Sequence, residues 1–275
     1  MRSNVDEIHI GFGGAHVTCC ADADEIVFLI RQAYWSMLGE GAGQSVEEFE
    51  VRKVAGGYSL SGRGVLETTV ESSGQAIDWL RPRILAAFMK GRPDLLWLHA
   101  GVVRFQGFAT LIVGPSGSGK STLSTKLCQL GWEFLSDEVA PLGVESHVVV
   151  PYPQSPFRRV NPGTALLPHE VDELRRELWQ PPGDAVWSLP TEVNLVVFPE
   201  FSFGSETEAK KLGPGDAAME LLKNSIDFFR HREAAVSRLV DLAAVIPCHA
   251  LQYGDGTDAA EKIDAMRRTI YTCRA

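Results

Sequence analysis

Gly114-Pro115-Ser116-Gly117-Ser118-Gly119-Lys120-Ser121-Thr122 fits the pattern G-x-x-x-x-G-K-[ST] at every position. The pattern carries meaning in one context, an apolar strand before it and a helix after it. The flanks predict both. Thr110 to Val113 reads as the strand. Lys120 to Leu130 reads as the helix, with Leu123, Leu127 and Leu130 at helical spacing and Gly131 placed to end it. In such a loop the glycines let the backbone turn tightly, so that successive N–H groups converge on phosphate oxygens, and the positive end of the helix adds to that field. The expected phosphate cradle is Gly114, Pro115, Ser116, Gly117, Ser118, Gly119, Lys120, Ser121 and Thr122. Lys120 would reach the terminal phosphates, and the Ser121 hydroxyl would ligate Mg²⁺.

Downstream of Gly131, Trp132-Glu133-Phe134-Leu135-Ser136-Asp137-Glu138 reads as a second strand ending in two acids. A parallel β-α-β arrangement would bring the C-terminal ends of both strands to one edge of the sheet. Asp137 and Glu138 would then lie beside the γ-phosphate, where carboxylates hold Mg²⁺ or accept the proton of an attacking hydroxyl. Upstream, Leu95-Leu96-Trp97-Leu98 leads into His99 to Phe105, and Gln106-Gly107 supplies a two-residue turn into Phe108 to Val113, predicting a hairpin.

Length and composition bound what the rest can be. The chain has 275 residues, 26 Lys+Arg against 35 Asp+Glu and a net charge of −9. At 45% hydrophobic and 22% charged it reads as an ordinary globular protein. The acidic balance argues against partners such as duplex DNA or an anionic membrane, which need a basic footprint. The five cysteines, Cys19, Cys20, Cys128, Cys248 and Cys273, lack metal-ligand spacing and read as reduced thiols of a cytoplasmic protein. Met1 to Glu7 carries no apolar stretch, so no signal peptide is expected. No apolar run approaches the ~18 residues of a membrane span.

The first ninety residues read as a small α+β region. Glu7 to Ile10 and Ala15 to Cys19 suggest a hairpin. A helix follows from Asp22, with an apolar face of Ile26, Phe28, Leu29, Ile30, Ala33 and Met37. Strands are expected over 47–54, 57–61 and 64–70, then a helix capped by Ser73 and running to about Lys90, which Pro82 kinks or begins. The expected division is 1–94 for this region and 95–275 for the part that carries the loop.

Beyond the acids, Tyr152 to Arg159 reads as a Pro-rich loop with adjacent cations Arg158 and Arg159, and Pro168 to Trp179 as a helix with Glu170, Glu173, Arg175 and Arg176 on its polar side. Val193 to Phe198 reads as a strand, followed by a polar surface loop or lid with Lys210 and Lys211. A helical stretch is expected from Asp216 to Val245, with Phe228, Phe229, Leu239, Leu242 and Ala243 in the core. A strand over Cys248 to Tyr253 and a helix from about Thr257 to Ile270 close the chain. His169 and His231 read as surface or packing histidines.

Three pieces in order, Leu98-His99-Ala100-Gly101-Val102-Val103, the loop itself, and Gly131 to Glu138 ending in Ser-Asp-Glu, resemble the HPr kinase family and its bacterial HPr-kinase-related branch. The match spans roughly residues 95–142. No N/T-K-x-D element for guanine follows the loop, and no L-S-G-G-Q-type signature lies downstream of it. The resemblance implies an α/β P-loop core of the HPr-kinase-like and PEP-carboxykinase-like type, ATP and Mg²⁺ as cofactors, and oligomers of like chains. It implies Asp137 as general base, Glu138 supporting metal or substrate, and His99 near the reacting groups, with Ser121, Asp137 and Glu138 around the metal. The family usually has a second aspartate where this chain has Glu138, and its downstream Gly-rich signature is missing. The expected activity is therefore transfer of the γ-phosphate to a hydroxyl, on a protein or peptide serine or on a small molecule, rather than to HPr. A nucleotide-binding switch and a hydrolytic ATPase are the alternatives.

Overall fold

Alternating burial along the first strands organises one sheet, and strands buried on both sides organise another. The computed structural model describes residues 5–39, 41, 43–159 and 176–274. By its contacts the chain divides into two compact units, Met1–Pro93 with Gln154–Gln180, and Asp94–Pro153 with Pro181–Ala275.

The first unit opens with β1 (Asp6–Phe12), β2 (Ala15–Ala21), α1 (Asp24–Ala33), β3 (Leu38–Gly39), β4 (Gln44–Val54), β5 (Gly57–Gly62), β6 (Val65–Val70) and α2 (Ser73–Gly91). The sheet order is β3-β1-β2-β4-β5-β6, with β2 and β4 parallel and the other pairs antiparallel. Ile8, Ile10, Val17, Cys19, Phe49, Val51 and Leu60 are buried, as are Ile26, Ile30 and Ala33 of α1 and Ile77, Leu80, Ile84 and Phe88 of α2. Phe28, expected on the apolar face of α1, is exposed, and Met37 lies beyond the helix end.

Ser72 rather than Ser73 caps α2, its hydroxyl accepting from the Gln75 N–H at 3.3 Å. The helix runs through Pro82, so this residue neither starts nor ends it. Packing of Ile84 and Phe88 beyond the proline holds the last turns, offsetting the missing N–H.

The second unit begins with β7 (Leu95–Leu98), β8 (Ala100–Phe105), β9 (Phe108–Val113), α3 (Lys120–Gln129), β10 (Glu133–Ser136), β11 (Ala140–Gly143) and β12 (Val148–Val149). The chain then enters β13 (Phe157–Arg159) and β14 (Arg176–Leu178), an antiparallel pair grouped with the first unit. Residues 176–178, expected in a helix, are thus strand. His169, Glu170, Glu173 and Arg175 lie outside the described residues. Ser155 ties this segment to α1, its N–H reaching the Ala33 carbonyl at 2.8 Å and its hydroxyl the Gln32 carbonyl at 2.9 Å.

The second unit resumes with β15 (Thr191–Phe201), β16 (Glu208–Lys211), α4 (Pro214–Lys223), α5 (Phe228–His231), α6 (Glu233–Val245), β17 (Cys248–Tyr253) and α7 (Gly256–Arg274). Its sheet runs β10-β8-β9-β15-β12-β11-β7, and β17 adds to β15, with β16 on β17. Leu123, Leu127, Ala259 and Ile263 pack with Ile112, Leu195 and Val197 in one cluster. Ala217, Leu221, Leu239 and Leu242 pack with Leu111, Val113 and Val196 in another. Adjacent residues of β9 and β15 thus feed different clusters, which is why these strands read as unbroken apolar runs.

Three expectations are corrected here. Lys210 and Lys211 belong to edge strand β16 rather than a loop, and lysines are common on edges because they discourage further strand pairing. The stretch 216–245 is three helices, broken at Asn224 and again at Arg232, whose φ is +41°. Phe229 is 84% exposed and Leu130 43% exposed, so neither is core. β10 pairs with β8 rather than β9. Because both steps are antiparallel, β10 still runs in the direction of β9, one strand away. Cys19, Cys20, Cys128 and Cys248 are free thiols. Among the described residues no helix is long and apolar enough to cross a membrane.

Candidate functional site

The Gln106-Gly107 turn has φ values of +48° and +86°, the twist that lets β8 fold back into β9. β9 ends at Val113, and the chain turns through Gly114–Gly119 into α3. Gly117 (φ +86°) and Gly119 (φ +97°) take left-handed conformations that a side chain resists. Gly119 has a second reason to be glycine, since a Cβ there would collide with the Tyr253 hydroxyl. Tyr253, at the end of β17, is buried, and its hydroxyl lies 3.5 Å from the Ser118 carbonyl. Burial pushes its pKa up to about 12, so the phenol keeps its proton and can donate.

Lys120 is 6% exposed. Its Nζ donates to the Gly114 carbonyl at 2.7 Å and to the Pro115 carbonyl at 2.9 Å. The His99 ring joins it, with Nδ1 2.7 Å from the same Gly114 oxygen and 3.3 Å from Nζ. A carbonyl only accepts, so Nδ1 carries the hydrogen in that contact. Burial, then the Lys120 charge, lowers the basicity of His99. Burial also lowers that of Lys120, against the opposing pull of Asp137 and Glu138.

His99 is held by its backbone on both sides. Its N–H donates to the Asn224 carbonyl at 2.7 Å, and its carbonyl accepts from Gly114 at 3.3 Å. The same turn after α4 clamps Trp97, whose N–H donates to Asp227 Oδ1 at 3.0 Å and whose carbonyl accepts from Ile226 at 2.8 Å. His231 Nε2 lies 3.1 Å from Asp227 Oδ2, which gives this packing histidine an acidic partner one helical turn back.

The two acids occupy different places. The Ser121 hydroxyl donates to Asp137 Oδ2 at 2.6 Å, and Asp137 is 1% exposed. Gly101 on β8 makes the room for this. A Cβ there would stand 2.7 Å from the Ser124 hydroxyl and 3.4 Å from Asp137 Oδ1. Glu138 is only partly buried and has φ +64°. The Val139 N–H reaches back to the Asp137 carbonyl at 2.7 Å, closing a γ-turn of the strained hand around Glu138. The Glu138 carbonyl is fixed by the Ala100 N–H at 3.2 Å.

Ser121 and Asp137 offer hard oxygen donors, the set that suits Mg²⁺. Among the described residues no three His, Cys, Asp or Glu side chains cluster to hold a metal by themselves.

The structure therefore gathers His99, Lys120, Ser121 and Asp137 by direct contact, and Glu138 by adjacency. Gly101, Ser124 and Tyr253 are neighbours the sequence reading gave no role. For Tyr253 the one available signal was its position at the end of a strand, whereas Gly101 and Ser124 meet only through tertiary packing. Arg158 and Arg159 fall in β13 of the first unit, and their side chains lie outside the described residues. A cavity of about 740 Å³ lined by Phe228, Phe229, Val236 and Val240 holds none of the loop residues.

Among solved structures the chain is similar to the Hpr(Ser) kinase/phosphatase from Coxiella burnetii, at 15% identity over 65% of this chain and 97% of that one, with a TM-score of 0.35. No protein-family model matches the chain, and no curated protein matches it. A likeness that distant leaves the reaction to be argued from the site.

Proposed function

We propose that the chain is a phosphotransferase that moves the γ-phosphoryl group of ATP to a hydroxyl, on a serine of a peptide or protein or on a small molecule. The observation that carries this reading is the 2.6 Å bond from Ser121 to Asp137, which fastens an acid from another strand to the first turn after a glycine-rich loop. The loop amides and the N-terminus of α3 would bind the phosphates. Lys120 would leave the Gly114 and Pro115 carbonyls for the transferring group, whose charge it would stabilise. Neutral His99, bonded to the Gly114 carbonyl, would keep that carbonyl aimed and place no second positive charge beside Lys120.

Mg²⁺ at Ser121 and Asp137 would neutralise charge on the β- and γ-phosphate oxygens. Asp137 is buried and committed to Ser121, which supports a metal-side role for it. Glu138 is more open to solvent, which supports giving it, rather than Asp137, the acceptor's proton. The acceptor oxygen would then form its bond to the γ-phosphorus as the bond to the bridging oxygen breaks and ADP leaves with that electron pair.

The test is γ-labelled ATP incubated with the purified chain and cell lysate, beside Lys120→Ala. Label in protein or in a small molecule, lost with the variant, supports the reading and identifies the acceptor class. Label found only as free phosphate would make the chain a hydrolase. Binding with no turnover would make it a switch.

A further inference from the structure

Consecutive residues at the junction of loop and helix take different partners. Lys120 meets His99 and Ser121 meets Asp137. Their sequence neighbours face the end of β17, where Gly119 lies against the Tyr253 hydroxyl and the Thr122 methyl is 3.1 Å from where a Cβ of Gly256 would stand. Lys and the Ser hydroxyl serve the terminal phosphates and metal, which leaves the side bordered by Tyr253–Gly256, and by what packs on it, for the nucleoside.

What packs on it is a tight turn with an unused aromatic ring. Ser202 donates its N–H to the Tyr253 carbonyl at 2.9 Å, and the Phe201 ring meets the Tyr253 ring edge-on at 5.5 Å. The Ser205 N–H and hydroxyl both reach the Ser202 carbonyl, at 3.1 and 2.7 Å, and Gly204 has φ +78°. Ser202-Phe203-Gly204-Ser205 is thus a closed β-turn. It presents Phe203, 92% exposed, from a fixed backbone, beside Phe201 at 51%. The Gly254 backbone sits so close to Ser205 and Gly204 that no side chain fits between them, which locks the turn to the end of β17.

We propose that this turn is the nucleobase platform of the site, with the purine ring stacked on Phe203 and the Phe201–Tyr253 pair behind it. The inference rests on the loop being a triphosphate site. Stacking on an aromatic face reads no donor–acceptor pattern, so adenine and guanine nucleotides are held alike. It adds about 1–3 kcal/mol per base, roughly 5- to 150-fold in affinity.

The experiment is calorimetric titration, with Mg²⁺, of the wild type and Phe203→Ala with ATP, GTP and inorganic tripolyphosphate. Because Phe203 is exposed, its removal leaves the fold intact. The expected result is a loss of about tenfold or more for both nucleotides and no change for tripolyphosphate. Unchanged ATP affinity would overturn the platform, as would an equal loss for tripolyphosphate. A wild type that binds no tripolyphosphate would instead overturn the loop reading beneath it. Phe203→Trp gives an independent readout. Its added indole emission is quenched by ATP and not by tripolyphosphate if the base stacks there, and responds alike to both if it does not.

Discussion

The Ser121 hydroxyl donates to Asp137 Oδ2 at 2.6 Å, joining the first turn of α3 to the end of β10, a strand that does not pair with the β9 leading into the loop. Removing either partner acts on the same function. Ser121→Ala and Asp137→Asn are each expected to cut phosphoryl transfer by more than tenfold and to flatten its dependence on Mg²⁺ concentration. The double variant should be little worse than either single one, because residues acting as a unit are not additive. Mg²⁺ titrations of transfer rate on the four proteins check this, and additive losses would separate the two side chains.

Glu138 keeps a left-handed backbone that costs about 1–2 kcal/mol for a residue with a Cβ. Glu138→Gly relieves that strain. It should raise the midpoint of thermal unfolding by roughly 2 °C while abolishing transfer. Glu138→Gln keeps the strain and loses only the proton acceptor, so it should leave the midpoint unchanged and still fail to transfer. Calorimetry beside the transfer assay distinguishes them, and an active Glu138→Gln would remove the proton-accepting role.

Gly119→Ala meets two obstacles, φ +97° and the Tyr253 hydroxyl. Nucleotide binding should be lost and the fold destabilised by about 1–3 kcal/mol. Adding Tyr253→Phe removes the worst of the collision, leaving the ring Cζ 3.0 Å from the new Cβ, and leaves the strain, so the double variant should recover part of the stability. Urea unfolding of the single and double variants measures the recovered fraction. No recovery would mean that the hydroxyl is not the obstacle.

His99, His147 and His249 are all less basic in the fold than their ordinary value of 6.5, in each case chiefly through burial. The unfolded chain therefore takes up protons that the folded chain refuses. Stability is full above about pH 6.5 and falls as pH drops from there toward the lower folded values. His99→Gln should reduce that loss between pH 7.5 and 5.5, as read from urea midpoints at the two pH values. An unchanged pH slope would show that His99 is as basic folded as unfolded.

What the sequence discloses here is local. The loop, its flanking strand and helix, the Gln106-Gly107 hairpin and the acids after Leu135 follow from turn chemistry and periodicity over a few residues. Partner choice between distant strands does not. Nothing within Glu133–Ser136 says that β8 rather than β9 is its neighbour, because both are apolar runs of similar length. Nor does Lys210-Lys211 announce a strand, since an edge strand shows solvent-facing charge as a loop does. Phe229, exposed at the surface, shows that apolarity alone does not distinguish core from exposed ring. At the site, Lys120, Ser121, Asp137 and Glu138 stand out by type and spacing. Gly101 and Ser124 come to notice only when β8 is laid beside the end of β10, and Tyr253 only when β17 is brought against the loop.

The return of Gln154–Gln180 to the first unit bears on biosynthesis. Although that unit starts at the N-terminus, it lacks Ser155 and its bonds to α1 until residues beyond the phosphate loop have left the ribosome. Domains generally fold as units during synthesis, and here the Gln32 and Ala33 carbonyls of α1 gain their Ser155 partner only after the phosphate loop has been made. A chain ended near residue 94 would lack one piece of its own first unit.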